Sequence, residues 1–426
     1  MKILEKVGRR AWLKGSVAAI AMVAGLSLAV PAPAQADDHD TIKIGFSMAL
    51  TGGLAGAGKG ALIAMQIWAE DQNAKGGILG KKVELVYYDD QTNPATVPGI
   101  YTKLLDVDKV DFVVSGYGTN LIAPAMPIVM QRGLVFPSLF GLAVNEKFKY
   151  DNYFQIMPAG PDPLTDWSKG FFDVAMAQNP KPKTIALVGA DAEFARNAVK
   201  GARENAKKLG MEIVYDQTYP PRTADYTPIV RAIQARNPDV VFVGSYPPDS
   251  VGMVKAATEV GLKTKMFGGG MVGLQFASIM TALGPKLNGI VNYDFWVPEK
   301  TLKFKGVEAF LAKYQEAAKG KGVDPLGFYL QPYAYGYLQV LEQAITATKS
   351  MDHAKVGEYI RTHEFDTVVG HVKFAPNGEW ANSRVLQVQY QGIQDNKLDT
   401  FAKEGTRVVL YPNDWKSGDI NFPYSK

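Results

Sequence analysis

Short apolar runs alternate with longer stretches of helical periodicity in the first third of the chain. The apolar runs lie at residues 42–50, 83–88, 110–115 and 134–137. Helices are predicted between them at residues 62–73, 95–107 and 122–131. Apolar runs of this kind are typical of strands that are buried on both faces, and their alternation with helices predicts parallel strands with crossover helices.

The same alternation starts again in the middle of the chain. Strands are predicted at residues 184–188, 212–215, 239–244 and 265–268, with helices at 195–209, 226–236 and 250–260. Two α/β series of similar length and order indicate an internal structural duplication, without a short sequence repeat. The sequence therefore predicts an α/β fold with two Rossmann-like lobes.

Two Pro-rich or aromatic segments, at residues 157–161 and 293–298, are predicted to cross between the lobes. Helices at 305–318 and 333–349 follow, and then β-rich segments at 367–374, 384–391 and 407–410. We expect lobe 1 to comprise residues 41–157 plus about 298–383. Lobe 2 would comprise 158–297 plus about 384–426, so that several strands form the hinge. The alternative is two independent domains on a flexible linker.

An export signal is predicted at the N-terminus. Arg9 and Arg10 precede Ala-Trp-Leu-Lys, a weakly apolar run covers residues 15–30, and Ala34-Gln35-Ala36 forms a small-residue cleavage site. Residues 1–36 therefore resemble a cleaved twin-arginine signal peptide, which predicts a periplasmic protein. The alternative is a retained membrane anchor, for which the run is short and poorly apolar.

The charge of the chain changes once this leader is set aside. The leader holds five of the 46 basic and one of the 42 acidic residues, so the remainder carries 41 of each. This balance gives no electrostatic reason to expect nucleic acid or an anionic membrane as a partner. Cysteine is absent, which excludes disulfides and thiol nucleophiles. We expect a monomer without cofactor or metal, since the four histidines lack ligand spacing.

A glycine-rich segment at residues 53–60 almost fits a phosphate-binding loop. Gly60 stands where that motif needs a hydroxyl for magnesium, so a nucleotide-hydrolysing enzyme is disfavoured. The glycines are better explained by a tight turn at the carboxyl end of a strand, close to a ligand. Asp89 and Asp90 are interpreted as residues of a strand end or loop cap. The sequence contains no G-x-S-x-G nucleophile elbow.

Several phrases together resemble the periplasmic leucine/isoleucine/valine-binding proteins of ABC importers. They are A-L-T-G at 49–52, N-A-K-G-G-I-L-G-K at 73–81, Y-D-D-x-x-x-P at 88–94 and AATEVGLKTKMFGGG at 256–270. The likeness covers residues 42–392. It implies a type I periplasmic binding protein fold that closes on a small ligand and presents it to permease subunits in the inner membrane.

The resemblance also implies a ligand site. Loops 116–119 and 138–142 match those that hold a ligand carboxylate with hydroxyl and backbone N–H groups, with Thr119 at the hydroxyl position. Phe194 and Tyr246 match the aromatic residues that cover the ligand from lobe 2. The predicted ligand-binding residues are Tyr117, Gly118, Thr119, Phe140, Gly141, Leu142, Phe194, Tyr246, Asp191, Gly270 and Ala57. No catalytic residue is predicted.

Three positions depart from the amino-acid binders. Gly270 replaces the acidic residue for the ligand ammonium, Leu142 replaces a hydroxyl, and Ala57 replaces an aromatic residue. A buried ammonium without a partner costs several kcal/mol, so we expect a bulkier, aromatic carboxylate and more space on one wall. Asp191 or Asp249 could supply a substitute acceptor, which leaves a hydrophobic amino acid as an alternative.

The predicted function is therefore binding without chemistry: capture of a small carboxylate by cleft closure and delivery to a membrane permease. Two alternatives stay open at this stage. One is a sensory module that hands its ligand to a receptor kinase, and the other is a periplasmic hydrolase.

Overall fold

The computed structural model describes residues 40–221 and 223–424. The predicted signal peptide lies outside the described residues. The first half of the described chain contains β1 (Thr41–Met48), α1 (Ala55–Ala74), β2 (Lys82–Asp89), α2 (Val97–Asp106), β3 (Phe112–Val113), α3 (Thr119–Ile122), α4 (Met126–Gln131), β4 (Phe136–Ser138), α5 (Asn145–Phe148), β5 (Tyr153–Gln155) and α6 (Pro163–Met176). A 3₁₀ turn at Ala123–Ala125 joins α3 to α4.

The second half begins with β6 (Thr184–Ala190), α7 (Glu193–Lys208), β7 (Glu212–Tyr219), α8 (Thr227–Gln234), β8 (Val240–Ser245), α9 (Pro247–Val260), β9 (Met266–Met271), α10 (Ala277–Leu283) and β10 (Val291–Asp294). It continues with α11 (Val307–Ala318), α12 (Gln331–Thr348), α13 (His353–Thr362), β11 (Glu364–Thr367), β12 (Gly370–Lys373), β13 (Leu386–Tyr390), α14 (Leu398–Phe401) and β14 (Arg407–Tyr411). In the part of the chain that is described, no helix is both long and apolar enough to cross a membrane.

Strands of the first series form a parallel sheet in the order β2-β1-β3. Ile44 in its centre pairs with Leu85 on one side and with Phe112 on the other. Strands β4 and β5 pair in parallel, and the N–H of Ser115 just beyond β3 donates to the carbonyl of Pro137 in β4 at 3.0 Å. The four predicted strands of this half are therefore present and lie side by side.

The second series forms a seven-stranded sheet in the order β14-β13-β10-β9-β8-β6-β7. Strands β6 to β10 are parallel, whereas β13 returns antiparallel to β10 and β14 antiparallel to β13. Every residue of β8 is buried, as expected for a parallel strand covered by helices on both faces.

The chain passes between the two sheets three times: from β5 to α6, from β10 to α11 and from β12 to β13. At these passages the N–H of Arg384 donates to the carbonyl of Pro158 at 2.9 Å, which ties the first passage to the third. A fully buried ion pair between Asp294 and Arg407, at 3.1 Å, ties the end of β10 to β14. The structure is thus an α/β fold of two lobes joined by several segments, as predicted.

The glycine-rich segment differs from its prediction as a loop. Most of it is helical, because α1 begins at Ala55 rather than at residue 62. Gly58 lies so close to β1 that a Cβ there would be 2.0 Å from the carbonyl oxygen of Ala49. The glycines therefore allow a helix to pack directly on a strand end, which local sequence composition alone does not reveal.

Candidate functional site

A small cavity lies where the carboxyl ends of strands from the two sheets face each other. Its volume is about 20 Å³, and we call it the cleft cavity. Seven of the eleven residues predicted to bind ligand line it: Tyr117, Gly118, Thr119, Phe140, Leu142, Phe194 and Tyr246. Five further lining residues were not predicted: Leu54, Met157, Val272, Tyr293 and Tyr329.

Thr119 presents a hydroxyl from the lobe of the three-stranded sheet. It follows β3 and is 2% exposed, and the preceding Gly118 has a φ of 107°, which favours glycine. The Thr119 Oγ1 accepts a hydrogen bond from the N–H of Leu142 at 3.0 Å. This bond holds the hydroxyl in place and leaves its hydrogen available for an acceptor in the cavity.

Tyr246 presents a hydroxyl in the same way from the lobe of the seven-stranded sheet. It stands at the N-terminus of α9, just after β8. The N–H of Phe194 donates to the Tyr246 hydroxyl oxygen at 3.2 Å. Burial raises the pKa of Tyr246, so this phenol stays neutral and can donate its hydrogen.

A cluster of three tyrosines lines part of the cavity. The hydroxyl oxygens of Tyr293 and Tyr329 lie 2.8 Å apart, and Tyr117 lines the cavity with them. Burial raises the pKa of all three phenols, so that each is a neutral donor and acceptor. The ring of Phe140 packs edge-on against Tyr329, with centroids 5.4 Å apart.

The described lining of the cleft cavity carries no charge. Its polar groups are hydroxyls and backbone groups, and its other surfaces are aromatic or aliphatic. Hydroxyl donors suit a carboxylate, and aromatic faces suit a flat apolar body. An ammonium group would find no carboxylate here.

Four predicted residues do not line the cavity. Ala57 is buried inside α1, and Leu54 of the same segment faces the cavity instead. Gly141 lies behind the lining, where a Cβ would meet Ile122, Val144 and Gln155. Its peptide is held there, since the Gln155 amide donates to the Gly141 carbonyl at 2.8 Å.

Asp191 and Gly270 are also displaced from the cavity. Asp191 pairs with Arg196 at 2.8 Å, with about half of each side chain exposed. Gly270 lies within β9, and a Cβ there would be 3.3 Å from the indole of Trp167. The expectation of extra space on this wall is wrong, because Trp167 fills it and packs against Phe194 and Tyr293.

The missed residues differ in how much local sequence signal each of them carries. Tyr293 and Met157 belong to the two segments predicted to cross between the lobes. A segment that crosses there passes close to the cleft, so this position could have identified both residues. Val272 lies just beyond the end of β9, where parallel sheets bind ligands. Tyr329 precedes α12 and has no such local signal.

No group of three or more His, Asp or Glu side chains in the described chain is placed to hold a metal ion. Asp89 caps the loop after β1: it accepts hydrogen bonds from the N–H groups of Leu50, Thr51 and Gln91. This agrees with the interpretation of that residue as a loop cap.

Comparisons with known proteins agree with this architecture. A family model described as periplasmic binding protein matches residues 41–396. The Leu/Ile/Val-binding protein of Escherichia coli is 25% identical over 366 residues, which cover 84% of this chain and 93% of that protein. It is a binding protein, so the prediction of a binder rather than an enzyme is confirmed.

Two solved structures illustrate the shared fold. One is the branched-chain amino acid transporter substrate binding protein of Streptococcus pneumoniae in complex with isoleucine, with a TM-score of 0.70, 21% identity, and coverage of 87% of this chain and 100% of that one. The other is a solute binding protein of an ABC transporter from R. palustris in complex with 4-hydroxybenzoate, with a TM-score of 0.70, 21% identity, and coverage of 84% and 94%. At this identity they show the fold alone. The chain belongs to the periplasmic binding protein family.

Proposed function

We propose that this protein is the substrate-binding component of an ABC importer and that it captures an aromatic carboxylate by closing its two lobes. One observation carries the proposal. Thr119 and Tyr246, from opposite lobes, each have a hydroxyl oxygen that already accepts a backbone N–H. Both hydroxyls are therefore donors toward one uncharged, aromatic-lined cavity.

The absence of charge in the described lining favours a carboxylate over an amino acid. A carboxylate accepts charge-assisted hydrogen bonds from neutral hydroxyls, each contributing roughly 1.5–3 kcal/mol. The α-ammonium of an amino acid lies next to its carboxylate, so inside the cleft cavity it would have to lose its water without gaining a carboxylate partner, which costs several kcal/mol. The phenyl and phenol rings then contact the apolar body of the ligand.

The size of the cleft cavity indicates how binding proceeds. Cavities that bind benzene have volumes of about 150 Å³, whereas this one measures about 20 Å³. The lobes must therefore separate before an aromatic acid enters, and the side chains must rearrange as they close again. Closure would then depend on contacts that the ligand itself makes in both lobes.

We assign lobe 1 to residues 41–157 plus about 298–383 and lobe 2 to 158–297 plus about 384–426. Strand membership supports these bounds, since the seven-stranded sheet takes its strands from Thr184–Asp294 and Leu386–Tyr411 only. The site residues are assigned as the seven predicted and five further residues that line the cleft cavity.

Relatives with this fold bind both kinds of ligand: the structure from S. pneumoniae holds isoleucine and the one from R. palustris holds 4-hydroxybenzoate. The uncharged lining favours the second kind for this chain. The family and the leader-like residues 1–36 support a periplasmic protein that delivers its ligand to permease subunits.

Isothermal titration calorimetry tests the proposal with benzoate, 4-hydroxybenzoate, a set of aliphatic acids and leucine. We expect at least one aromatic acid to bind in the micromolar range or tighter, and leucine to bind at least 100-fold more weakly. Tight binding of leucine with no binding of aromatic acids would overturn the choice of ligand. Benzyl alcohol serves as the control, because it keeps the ring and removes the carboxylate.

A further inference from the structure

A second cavity lies beside the cleft cavity and shares two of its side chains. Its volume is about 290 Å³, and Leu54 and Tyr246 line both cavities. We call it the outer cavity. Its other walls come from both lobes, with Gln91, Thr92 and Asn120 on one side and Pro247 and Asp249 on the other. A ligand that passes between Leu54 and Tyr246 would reach from one cavity into the other.

The outer cavity differs from the cleft cavity in charge. Asp249 is the one charged residue among the described residues of its lining, and it is 4% exposed. The Tyr226 hydroxyl donates to its Oδ1 at 2.7 Å, and the N–H of Tyr246 donates to its Oδ2 at a long 3.4 Å. None of the ion pairs found between described residues includes Asp249. This carboxylate is therefore buried among neutral donors and without a cation.

A second acceptor belongs to Asn120, which lines the outer cavity from the other lobe. The Oδ1 of Asn120 is buried and has no hydrogen-bond partner among the described residues. Asn120 directly follows Thr119, the hydroxyl donor of the cleft cavity. Buried polar atoms are nearly always hydrogen-bonded, so an acceptor without a partner at a cavity wall points to a donor on a ligand.

From this arrangement we infer that the outer cavity binds a hydrogen-bond-donating group, an amine or a hydroxyl, at the far end of the same ligand. Asp249 and Asn120 accept from that group while Thr119 and Tyr246 donate to the carboxylate. The inference rests on the proposed function and narrows its ligand class to aromatic acids with a donor opposite the carboxylate. Asp249 also caps α9 through the N–H of Tyr246, a role that leaves carboxylate lone pairs for a ligand.

Three benzoates of nearly the same size test the inference by calorimetry: 4-ethylbenzoate, 4-(hydroxymethyl)benzoate and 4-(aminomethyl)benzoate. For the wild-type protein, we expect at least one donor-bearing acid to bind 10-fold or more tightly than 4-ethylbenzoate. In Asp249→Asn, the ratio of the affinity for that acid to the affinity for 4-ethylbenzoate should fall to about 3 or less. The affinity for 4-ethylbenzoate itself should change less than threefold. Asparagine keeps one oxygen for the N–H of Tyr246, places its amide against the Tyr226 hydroxyl, and removes the charge.

Asn120→Ala provides a second, independent variant, because it leaves the cap of α9 intact and decides the matter if Asp249→Asn does not fold. Equal affinities of the wild type for all three acids would overturn the inference and leave the proposed function standing. A preference for the donor-bearing acids that both variants retain would do the same. If the protein bound none of these acids and none of the carboxylates used to test the proposed function, both the inference and the proposed function would be overturned.

Discussion

The side-chain Nδ2 of Asn197 donates a hydrogen bond to the backbone carbonyl of Leu142 across 2.9 Å. Asn197 lies on α7, which packs on the seven-stranded sheet, whereas Leu142 follows β4 in the other lobe. The N–H of the same Leu142 residue donates to Thr119. One residue thus connects a bond between the lobes to the hydroxyl that we assign to the ligand carboxylate.

Replacement of Asn197 by alanine should weaken ligand binding without a change in the cavity lining. The bond exists only when the lobes meet, so its loss shifts the population toward the open form. A neutral hydrogen bond contributes about 1 kcal/mol, which corresponds to roughly a fivefold loss of affinity. Calorimetry measures the affinity, and X-ray scattering should show a larger radius of gyration without ligand.

Lys200→Ala is the matched control for this variant, because Lys200 lies on the exposed face of the same helix. It should bind like the wild type. An affinity for Asn197→Ala within 1.5-fold of wild type would show that the bond contributes nothing to closure.

Removal of either donor hydroxyl should reduce carboxylate affinity by about 10- to 100-fold, the effect of losing one hydrogen bond to a charged group. The variants are Thr119→Val and Tyr246→Phe, both measured by calorimetry with the tightest aromatic acid. Each also leaves a backbone N–H, that of Leu142 or Phe194, without its acceptor. Thermal unfolding of the ligand-free variants therefore has to be recorded beside the affinities.

Thr119→Ser separates the effect of the hydroxyl from that of side-chain packing, since it keeps the hydroxyl and loses a methyl group. It should bind within about threefold of wild type. Weak binding by Thr119→Ser equal to that of Thr119→Val would mean that packing, and not the hydroxyl, determines the affinity at this position.

The sequence predicted the fold well because each buried strand leaves a local signal. Strands such as β1 and β8 are continuous apolar runs, since helices cover both faces of their sheets. Boundaries were less accurate where glycine was abundant. Helix α1 includes Gly56 and Gly58, and their presence led to the prediction of a loop for residues that are helical.

The candidate site was predictable only in part, for a geometric reason. Tyr246 directly follows β8, and Thr119 lies in the loop region after β3, so their proximity to a cleft follows from parallel topology. Gly270 instead pairs with Gly244 inside the sheet and lies under Trp167, a residue 103 positions earlier that no strand pattern brings there. Tyr329 reaches the cavity from a loop between two helices, and its position depends on the packing of the whole lobe.

Two glycines of α1 should respond in opposite directions to alanine. Gly58→Ala places a Cβ 2.0 Å from the Ala49 carbonyl oxygen, so α1 must move from β1 and stability should fall by about 2–3 kcal/mol or more. Gly56→Ala meets no atom within 4 Å and should raise stability by up to about 1 kcal/mol, because alanine favours the helix. Urea unfolding measures both. Equal effects would contradict the close approach of helix and strand.

The two neighbouring aspartates at the end of β2 have pKa values shifted in opposite directions. Burial raises the pKa of Asp90 to about 6, against the hydrogen bond from the Thr92 N–H that lowers it. For Asp89, burial acts to raise the pKa. Hydrogen bonds from the Thr51 hydroxyl and from the N–H groups of Gln91, Leu50 and Thr51 outweigh this and lower it overall.

These shifts predict opposite pH dependences of stability for Asp90→Asn and Asp89→Asn. Folded Asp90 binds its proton more tightly than unfolded Asp90. Its contribution to the stability of the fold is therefore full below pH 4 and is lost as the pH rises to about 6. As the pH rises from 4 to 7, the free energy of unfolding of Asp90→Asn should therefore increase by about 1–3 kcal/mol relative to that of the wild type. Asp89 stabilises the fold at pH values above its ordinary pKa. Asp89→Asn should therefore be less stable than the wild type at pH 7, and its stability should approach that of the wild type as the pH falls below 4. Urea unfolding from pH 3 to 7 measures both, and parallel profiles for the three proteins would contradict the assignment.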